Sequence, residues 1–266
     1  MLRYKIFVIF HDKIIEEYYD SSVLENLVFI NVNPNNKYNY PGLNILNLHD
    51  LENFIPLGKW YAESEVIYNI KRNDDLIREL DYIGFIHHDI DFKIMTDSYI
   101  QEEISRTQLI NLQPYSFQVD FNQKILMDEK FPEKLKGQGN NCYLSIFNDF
   151  NRFYDTNYNV KDFLGIGVVN LCACFIIRKN LFDSMMQFID PIIESHRLDR
   201  YDTGRKYRIQ GGFMERYYAT WFMLKKISGI NIKLDHFFYE TNKQESKLSK
   251  ILSKVKIFIK KMLVKY

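Results

Sequence analysis

Cysteine is scarce in this 266-residue chain: only Cys142, Cys172 and Cys174 are present. The number is odd and no CxxC pair occurs, which argues against a disulfide framework and fits a reducing cytoplasm. Cys172 and Cys174 read as two small core residues on one face of a strand. Long hydrophobic runs are missing too. The most apolar stretch, Leu164–Ile177, is too short to span a bilayer and contains Asn170. The N-terminal run Ile6–Phe10 is too short for a signal peptide and is broken by His11-Asp12-Lys13. No GxGxxG, P-loop, HExxH or GxSxG motif occurs, and no spacing supports a Ser-His-Asp arrangement. No internal repeat or low-complexity linker is visible.

What is present describes a folded globular chain. Hydrophobic residues make up 46%, charged residues 26% and aromatics 16%. These proportions exclude disordered, collagen-like and fibrous classes. The net charge of +1 hides an uneven distribution. Residues 246–266 carry seven Lys and no acid, which leaves 28 basic and 34 acidic side chains, a net of −6, on the rest. A mildly acidic body with a basic tail argues against a nucleic-acid binder, whose basic patch would lie on the folded domain.

Lys5–Phe10 and Leu27–Val32 read as buried strands, the second closing on the turn-forming Asn33-Pro34-Asn35-Asn36. Ile45–Leu48 is a shorter strand candidate. Tyr61–Asn73 carries the apolar stripe Val66, Ile67 and Ile70 of a helix. Tyr82–Ile86 then reads as a central strand. Strand, helix and strand in this order imply βαβ units and a largely parallel sheet. Further on, Tyr143–Tyr154 and Leu181–Ser195 read as helices, the latter kinked at Pro191, with Gly167–Ile177 as a buried strand between them. Phe213–Ile227 reads as a helix entered through a Gly211-Gly212 turn, and Ile230–Leu234 as a last strand leading to Asp235-His236. The simplest partition is one α/β domain over 1–243 and a basic tail over 244–266.

Three features can carry chemistry. Asp89-Ile90-Asp91 follows the strand Tyr82–Ile86 directly. Two carboxylates just beyond a strand end can hold magnesium or manganese together with substrate phosphate oxygens. Such an ion neutralises charge on a departing diphosphate, and ligands of open α/β sheets sit beyond the carboxyl ends of the strands. With 19 Asp in the chain, roughly one D-x-D is expected by chance, so placement gives this one its weight. His236, just past Ile230–Leu234, is a possible third ligand, since neutral imidazole suits manganese or zinc. Gly211-Gly212-Phe213-Met214-Glu215-Arg216 combines a backbone that can approach a substrate with a carboxylate. Glu215 is explained equally by a first-turn position favoured by the helix dipole or by a role as general base for an acceptor hydroxyl.

The order Glu63…Tyr68…Asn73, then Tyr82-Ile83-Gly84-Phe85-Ile86-His87, then Asn170…Phe175-Ile176-Ile177-Arg178-Lys179…Phe182, then Gly211-Gly212…Glu215-Arg216…Trp221 resembles a glycosyltransferase family of bacterial capsule and O-antigen clusters. That family is similar to the GT-A superfamily of nucleotide-sugar-dependent transferases. The resemblance covers roughly residues 4–240. It implies a Rossmann-like GT-A fold, a mostly parallel sheet flanked by helices. It implies a nucleotide-diphospho-sugar donor bound near His11, Asp12, Glu63, His88 and Asp89. The metal, Mn2+ or Mg2+, would lie on Asp89 and Asp91 and be completed by His236. Glu215 would face the acceptor, with Gly211, Gly212 and Arg216 in the acceptor loop. Relatives of this type often carry Arg or Tyr after the histidine, where this chain has the acidic pair of more typical GT-A enzymes. A metal-dependent nucleotidyl- or phosphotransferase using the same pair, and an inactive glycan-binding scaffold, remain as alternatives.

In the tail, Leu248, Ile251, Leu252, Val255, Phe258, Ile259, Met262 and Leu263 fall at helical spacing with lysines between them. This is the pattern of an amphipathic helix that lies on an anionic membrane surface, or of a terminal helix packed on a partner. The membrane reading suits a peripheral enzyme on the cytoplasmic face of the inner membrane, acting on a glycan or lipid-linked acceptor.

Overall fold

The computed structural model describes residues 1–36, 39–58, 60–114, 119–120, 142–159, 168–169, 173–199 and 209–237. Strands β1 (Tyr4–Phe10), β2 (Leu27–Asn31) and β3 (Ile45–Asn47) pair in parallel in that order. Helix α1 (Glu63–Arg72) then leads to β4 (Tyr82–His87), which pairs parallel to the other side of β1. The expected βαβ unit is therefore formed.

Helix α2 (Asp97–Arg106) and strand β5 (Leu109–Pro114) come next, followed by β6 (Val119–Asp120), α3 (Cys142–Tyr154) and β7 (Val168–Val169). The last elements are β8 (Phe175–Arg178), α4 (Lys179–Glu194), α5 (Ile209–Ile227) and β9 (Ile232–Phe237). The main sheet has seven strands in the order β3-β2-β1-β4-β8-β5-β9, while β6 and β7 form a separate antiparallel pair. Only β8 runs against its neighbours. The carboxyl ends of β1, β2, β3, β4, β5 and β9 thus share one edge.

The apolar runs of β1 and β4 are continuous because both faces of the sheet are covered. Phe7, Ile9, Ile83 and Phe85 join one core with α1, α4 and α5. Ile6, Val8, Phe10 and Ile86 join a second core with Ile100 and Ile104 of α2. Alternation with period two assigns each side chain to its face. Gly84 sits where the second core leaves no room, since a Cβ there would stand 2.9 Å from Ile6 Cγ1 and 3.1 Å from Ile176 Cγ1. Helix α1 buries Val66, Ile67 and Ile70, with Glu63 and Glu65 in its first turn and Lys71 and Arg72 in its last, as the helix dipole favours.

Several expectations are corrected. The apolar run ending at Ile177 is not one strand: β7 belongs to the small sheet and β8 to the main one. Cys174 is fully buried just before β8, whereas Asn170 and Cys172 lie outside the described residues. Helix α5 starts at Ile209, so Gly211 and Gly212 lie inside its first turn and do not form a turn ahead of it. Glu215 accordingly falls in the second turn, which weakens the dipole account of its presence. Strand β9 runs through Phe237, so Asp235 and His236 are within it, not beyond it. The 244–266 tail lies outside the described residues. No helix among the described residues is long and apolar enough to cross a membrane.

Candidate functional site

A cavity of about 870 Å³ opens at the carboxyl edge of the sheet. Its floor is built by the ends of adjacent strands: Ile9 and His11 from β1, Val32 and Asn33 after β2, and His87, His88 and Asp89 from the end of β4. His49, after β3, lines one side. Four of the six histidines of the chain therefore face one space. Among the described residues the lining carries no Lys or Arg.

Asparagines tie the strand ends together. Asn31 Nδ2 donates to Asn47 Oδ1 at 3.0 Å, Asn33 N donates to Asn31 Oδ1 at 3.1 Å, and Asn33 Nδ2 donates to the His11 carbonyl at 3.1 Å. Beside them the His88 backbone N–H bonds the Ile9 carbonyl at 3.0 Å. Its ring Nδ1 lies 3.2 Å from the same oxygen, which selects the Nδ1-protonated tautomer. The ring meets His11 edge-on, with centroids 5.0 Å apart. Burial holds the His88 pKa below the usual histidine range, with Asp89 opposing and His11 and His87 adding to the depression. Tyr19 donates to the His88 carbonyl at 3.3 Å. Burial and the nearby Asp89 carboxylate push its hydroxyl far above the usual tyrosine range, so it stays protonated.

Asp89 Oδ1 is buried and finds no hydrogen-bond partner among the described residues. A buried carboxylate oxygen without a donor is costly, and a divalent cation is a partner that suits it. Asp91 does not line the cavity. Its Oδ1 accepts the Lys93 N–H at 3.1 Å, an ordinary turn contact. Among the described residues no three His, Cys, Asp or Glu side chains are grouped to hold a metal ion. His236 pairs with Gln113 in β9, on the same sheet edge but three strands from β4, roughly 14 Å along the sheet. The donor set therefore fits a hard cation held by Asp89 with substrate oxygens and water, without a preformed protein cage.

Further lining comes from described residues that lead into α1: Pro56, Gly58, Trp60, Ala62 and Glu63. Side chains of α1 hold this segment. Glu65 Oε1 accepts the N–H groups of Leu57 (2.8 Å) and Gly58 (2.9 Å). Asn69 accepts from Ile55 N at 2.7 Å and donates to Ile55 O at 2.9 Å, and Asn73 accepts from Asn53 N at 3.1 Å. Residues 65, 69 and 73 are one helical face at four-residue spacing.

The segment ends in strain. Ala62 has φ 52° and ψ −130°, a region that a Cβ disfavours at a cost of about 1–3 kcal/mol. Packing over-determines it. Gly211 N–H bonds the Trp60 carbonyl at 2.8 Å, and Tyr61 Oη donates to Asp199 Oδ1 at 2.9 Å. The turn delivers Glu63 as the first residue of α1, with its Oε1 3.6 Å from His87 Nε2.

Helix α5 closes the same side. A Cβ at Gly211 would stand 3.2 Å from the Trp60 carbonyl oxygen and 3.3 Å from Ala62 Cβ. Tyr218, whose hydroxyl pKa is pushed up mainly by burial, also feels the Glu63 carboxylate. Glu215 lies four residues after Gly211 and three before Tyr218, on the face of α5 turned to this wall. Arg216 instead donates back to the Gly212 carbonyl of its own helix at 2.7 Å.

Of the sequence candidates, the structure brings His11, Glu63, His88 and Asp89 to one cavity, with Gly211 and Glu215 on the helix behind its wall. Asp12 is exposed and outside the lining, its carbonyl accepting from Asn36 Nδ2 at 3.4 Å. His87, His49, Trp60, Glu65 and Asn69 were missed. His87 alone had a local signal, as the residue that ends β4. A second missed device is the Asp149–Arg197–Tyr217 cluster, in which Arg197 bonds both Asp149 oxygens and the Tyr217 hydroxyl. It fastens α3 and the end of α4 to α5.

The fold is that of an α/β protein with a cavity at the carboxyl edge of a largely parallel sheet, in a Rossmann-like arrangement. Its fold is that of a solved glycosyltransferase. The apo structure of the WbbM bifunctional glycosyltransferase superposes with a TM-score of 0.59 at 15% sequence identity, over 90% of this chain and 46% of that one. The chain thus spans about half the length of that enzyme. No family model and no curated protein matches the chain.

Proposed function

We propose that the chain is a glycosyltransferase that moves a sugar from a nucleotide-diphospho-sugar to a hydroxyl of a surface polysaccharide or lipid-linked oligosaccharide. The observation that carries this reading is the orphaned Asp89 oxygen at the end of β4, in a cavity on the sheet edge of a fold shared with a glycosyltransferase. A donor diphosphate brings negative charge to a lining that has no Lys or Arg among the described residues. Manganese or magnesium on Asp89 would supply the counter-charge and act as Lewis acid; Asp91 joins it only if the turn that holds it at Lys93 opens. His236 completes this set only if its strand end approaches β4.

In an inverting transfer the acceptor oxygen bonds to the anomeric carbon as the bond from that carbon to the diphosphate oxygen breaks. Glu215 takes the hydroxyl proton, and the nucleoside diphosphate leaves. In a retaining transfer Glu215 positions the acceptor. The basic tail holds the enzyme on the anionic cytoplasmic face of the membrane, where a lipid-linked acceptor is presented.

Product analysis tests the reaction class. Incubation with nucleotide-hexoses, manganese and an oligosaccharide acceptor is expected to release nucleoside diphosphate. Release of pyrophosphate from a nucleoside triphosphate would assign nucleotidyl transfer instead. No turnover of any donor by the folded protein would leave a glycan-binding scaffold.

A further inference from the structure

We infer that Trp60 and Glu63 form a subsite for a pyranose ring, with the indole as the platform under the apolar face of the sugar and the carboxylate as acceptor for its hydroxyls. This deepens the transferase reading and rests on it. The chain has two tryptophans, and their environments differ sharply. Trp221 is fully buried in the core, with its Nε1 donating to Tyr154 Oη at 3.0 Å. Trp60 is partly exposed and lines the cavity. A pyranose presents a face of C–H groups and a rim of hydroxyls. A large, rigid aromatic side chain with a carboxylate beside it matches both.

The subsite is built, not incidental. Trp60 and Glu63 are three residues apart across Ala62, whose φ of 52° turns the chain so that both line one cavity. That conformation persists because the Trp60 carbonyl is bonded to Gly211 N, Tyr61 to Asp199, and the Leu57 and Gly58 amides to Glu65. Glu63 Oε1 lies 3.6 Å from His87 Nε2, a near approach rather than a hydrogen bond. The subsite also shares its cavity with Asp89, the proposed cation ligand.

The ring could belong to the donor or to the acceptor, and two sets of probes separate these. The acceptor probes are methyl α- and β-glycosides of glucose, galactose and mannose, offered with UDP, GDP or dTDP. The donor probes are the hexose conjugates of the same nucleotides. Binding is read on every variant by saturation-transfer NMR and calorimetry, with tryptophan emission used only on variants that keep Trp60. Trp60→Ala is expected to weaken one set about tenfold, while Trp60→Phe, which keeps an aromatic face, stays within about threefold of wild type. Glu63→Gln is expected to weaken the same set, and the free nucleoside diphosphates are expected to bind all variants alike. A thermal melt checks that each variant is folded. Nucleotide binding with both sugar sets unchanged in Trp60→Ala overturns the subsite and leaves the transferase reading standing. Absence of nucleotide binding in the wild type overturns the transferase reading and the subsite with it.

Discussion

Gly211 and Trp60 touch backbone to backbone: the Gly211 N–H donates to the Trp60 carbonyl at 2.8 Å, and a methyl group on Gly211 would approach that oxygen to 3.2 Å. Contact between α5 and the strained turn before α1 therefore depends on the missing side chain. Gly211→Ala is expected to push Trp60–Ala62 outward by a few tenths of an ångström. The alanine gains helix propensity of about 1 kcal/mol that offsets part of the crowding, so stability should change by less than about 2 kcal/mol. Sugar-dependent affinity should fall more than nucleotide affinity. Denaturant unfolding and calorimetry on one preparation check both halves.

The carboxylate of Glu65 does for residues 57 and 58 what a neighbouring strand would do, by accepting two backbone N–H groups. Glu65→Ala removes both bonds and is expected to cost about 1–3 kcal/mol. Glu65→Gln keeps an acceptor oxygen and should cost less than half as much. Equal losses in urea titrations would show that charge, not acceptor geometry, holds the segment.

Asp190 on α4 gives the fold a pH signature. Burial raises its carboxyl from an ordinary 3.8 to about 6, with Glu194 adding to the rise and Lys71 and Arg72 of α1 opposing it. Tyr68 of α1 and Tyr218 of α5 also feel its charge. Well below pH 3.8 both folded and unfolded chains hold this proton. Between pH 4 and 6 the folded chain binds it more tightly, so the contribution of Asp190 to stability falls as pH rises through that window. The group is partly exposed, and screening reduces the loss to about 1–2 kcal/mol. Asp190→Asn mimics the protonated form. It is expected to raise the melting temperature by about 2–5 °C at pH 7.5 and to leave it unchanged near pH 4. A gain that is the same at both pH values would contradict the assignment.

Gly84 tests the packing of the sheet itself. Gly84→Ala places a methyl 2.9 Å from Ile6 Cγ1, between two buried isoleucines. Overpacking of this kind is expected to cost about 1–3 kcal/mol, read as a lower urea midpoint with an unchanged slope.

The parts of the fold written in short-range pattern were legible. Continuous apolar runs marked β1, β2 and β4 because both of their faces are buried. The stripe Val66, Ile67 and Ile70 marked α1. The place of Asp89 at the cavity was legible because it directly follows the apolar run of β4, and the carboxyl ends of parallel strands frame such cavities. Strand direction was not legible, since burial pattern is the same for parallel and antiparallel strands, and the reversed β8 left no mark. The wall of the cavity was also hidden. Residues 51–58 are held by side chains of Glu65, Asn69 and Asn73, and bonds from side chain to backbone have no periodic signature. The approach of Glu63 to His87 joins residues 24 apart in sequence through a strained turn at an alanine, where a glycine would have drawn attention. Glycines misled at α5, where Gly211-Gly212 signalled a turn but serves close helix packing.

The measurement that bears most directly on the account is a calorimetric titration with UDP, GDP, dTDP, CMP and ADP, with and without manganese, on the wild type and Asp89→Ala. The account predicts that one nucleotide binds the wild type in a manganese-dependent way and that this binding is lost in the folded Asp89→Ala variant. Metal-independent binding that survives the substitution would contradict the role given to Asp89, and no binding of any nucleotide would contradict the transferase itself.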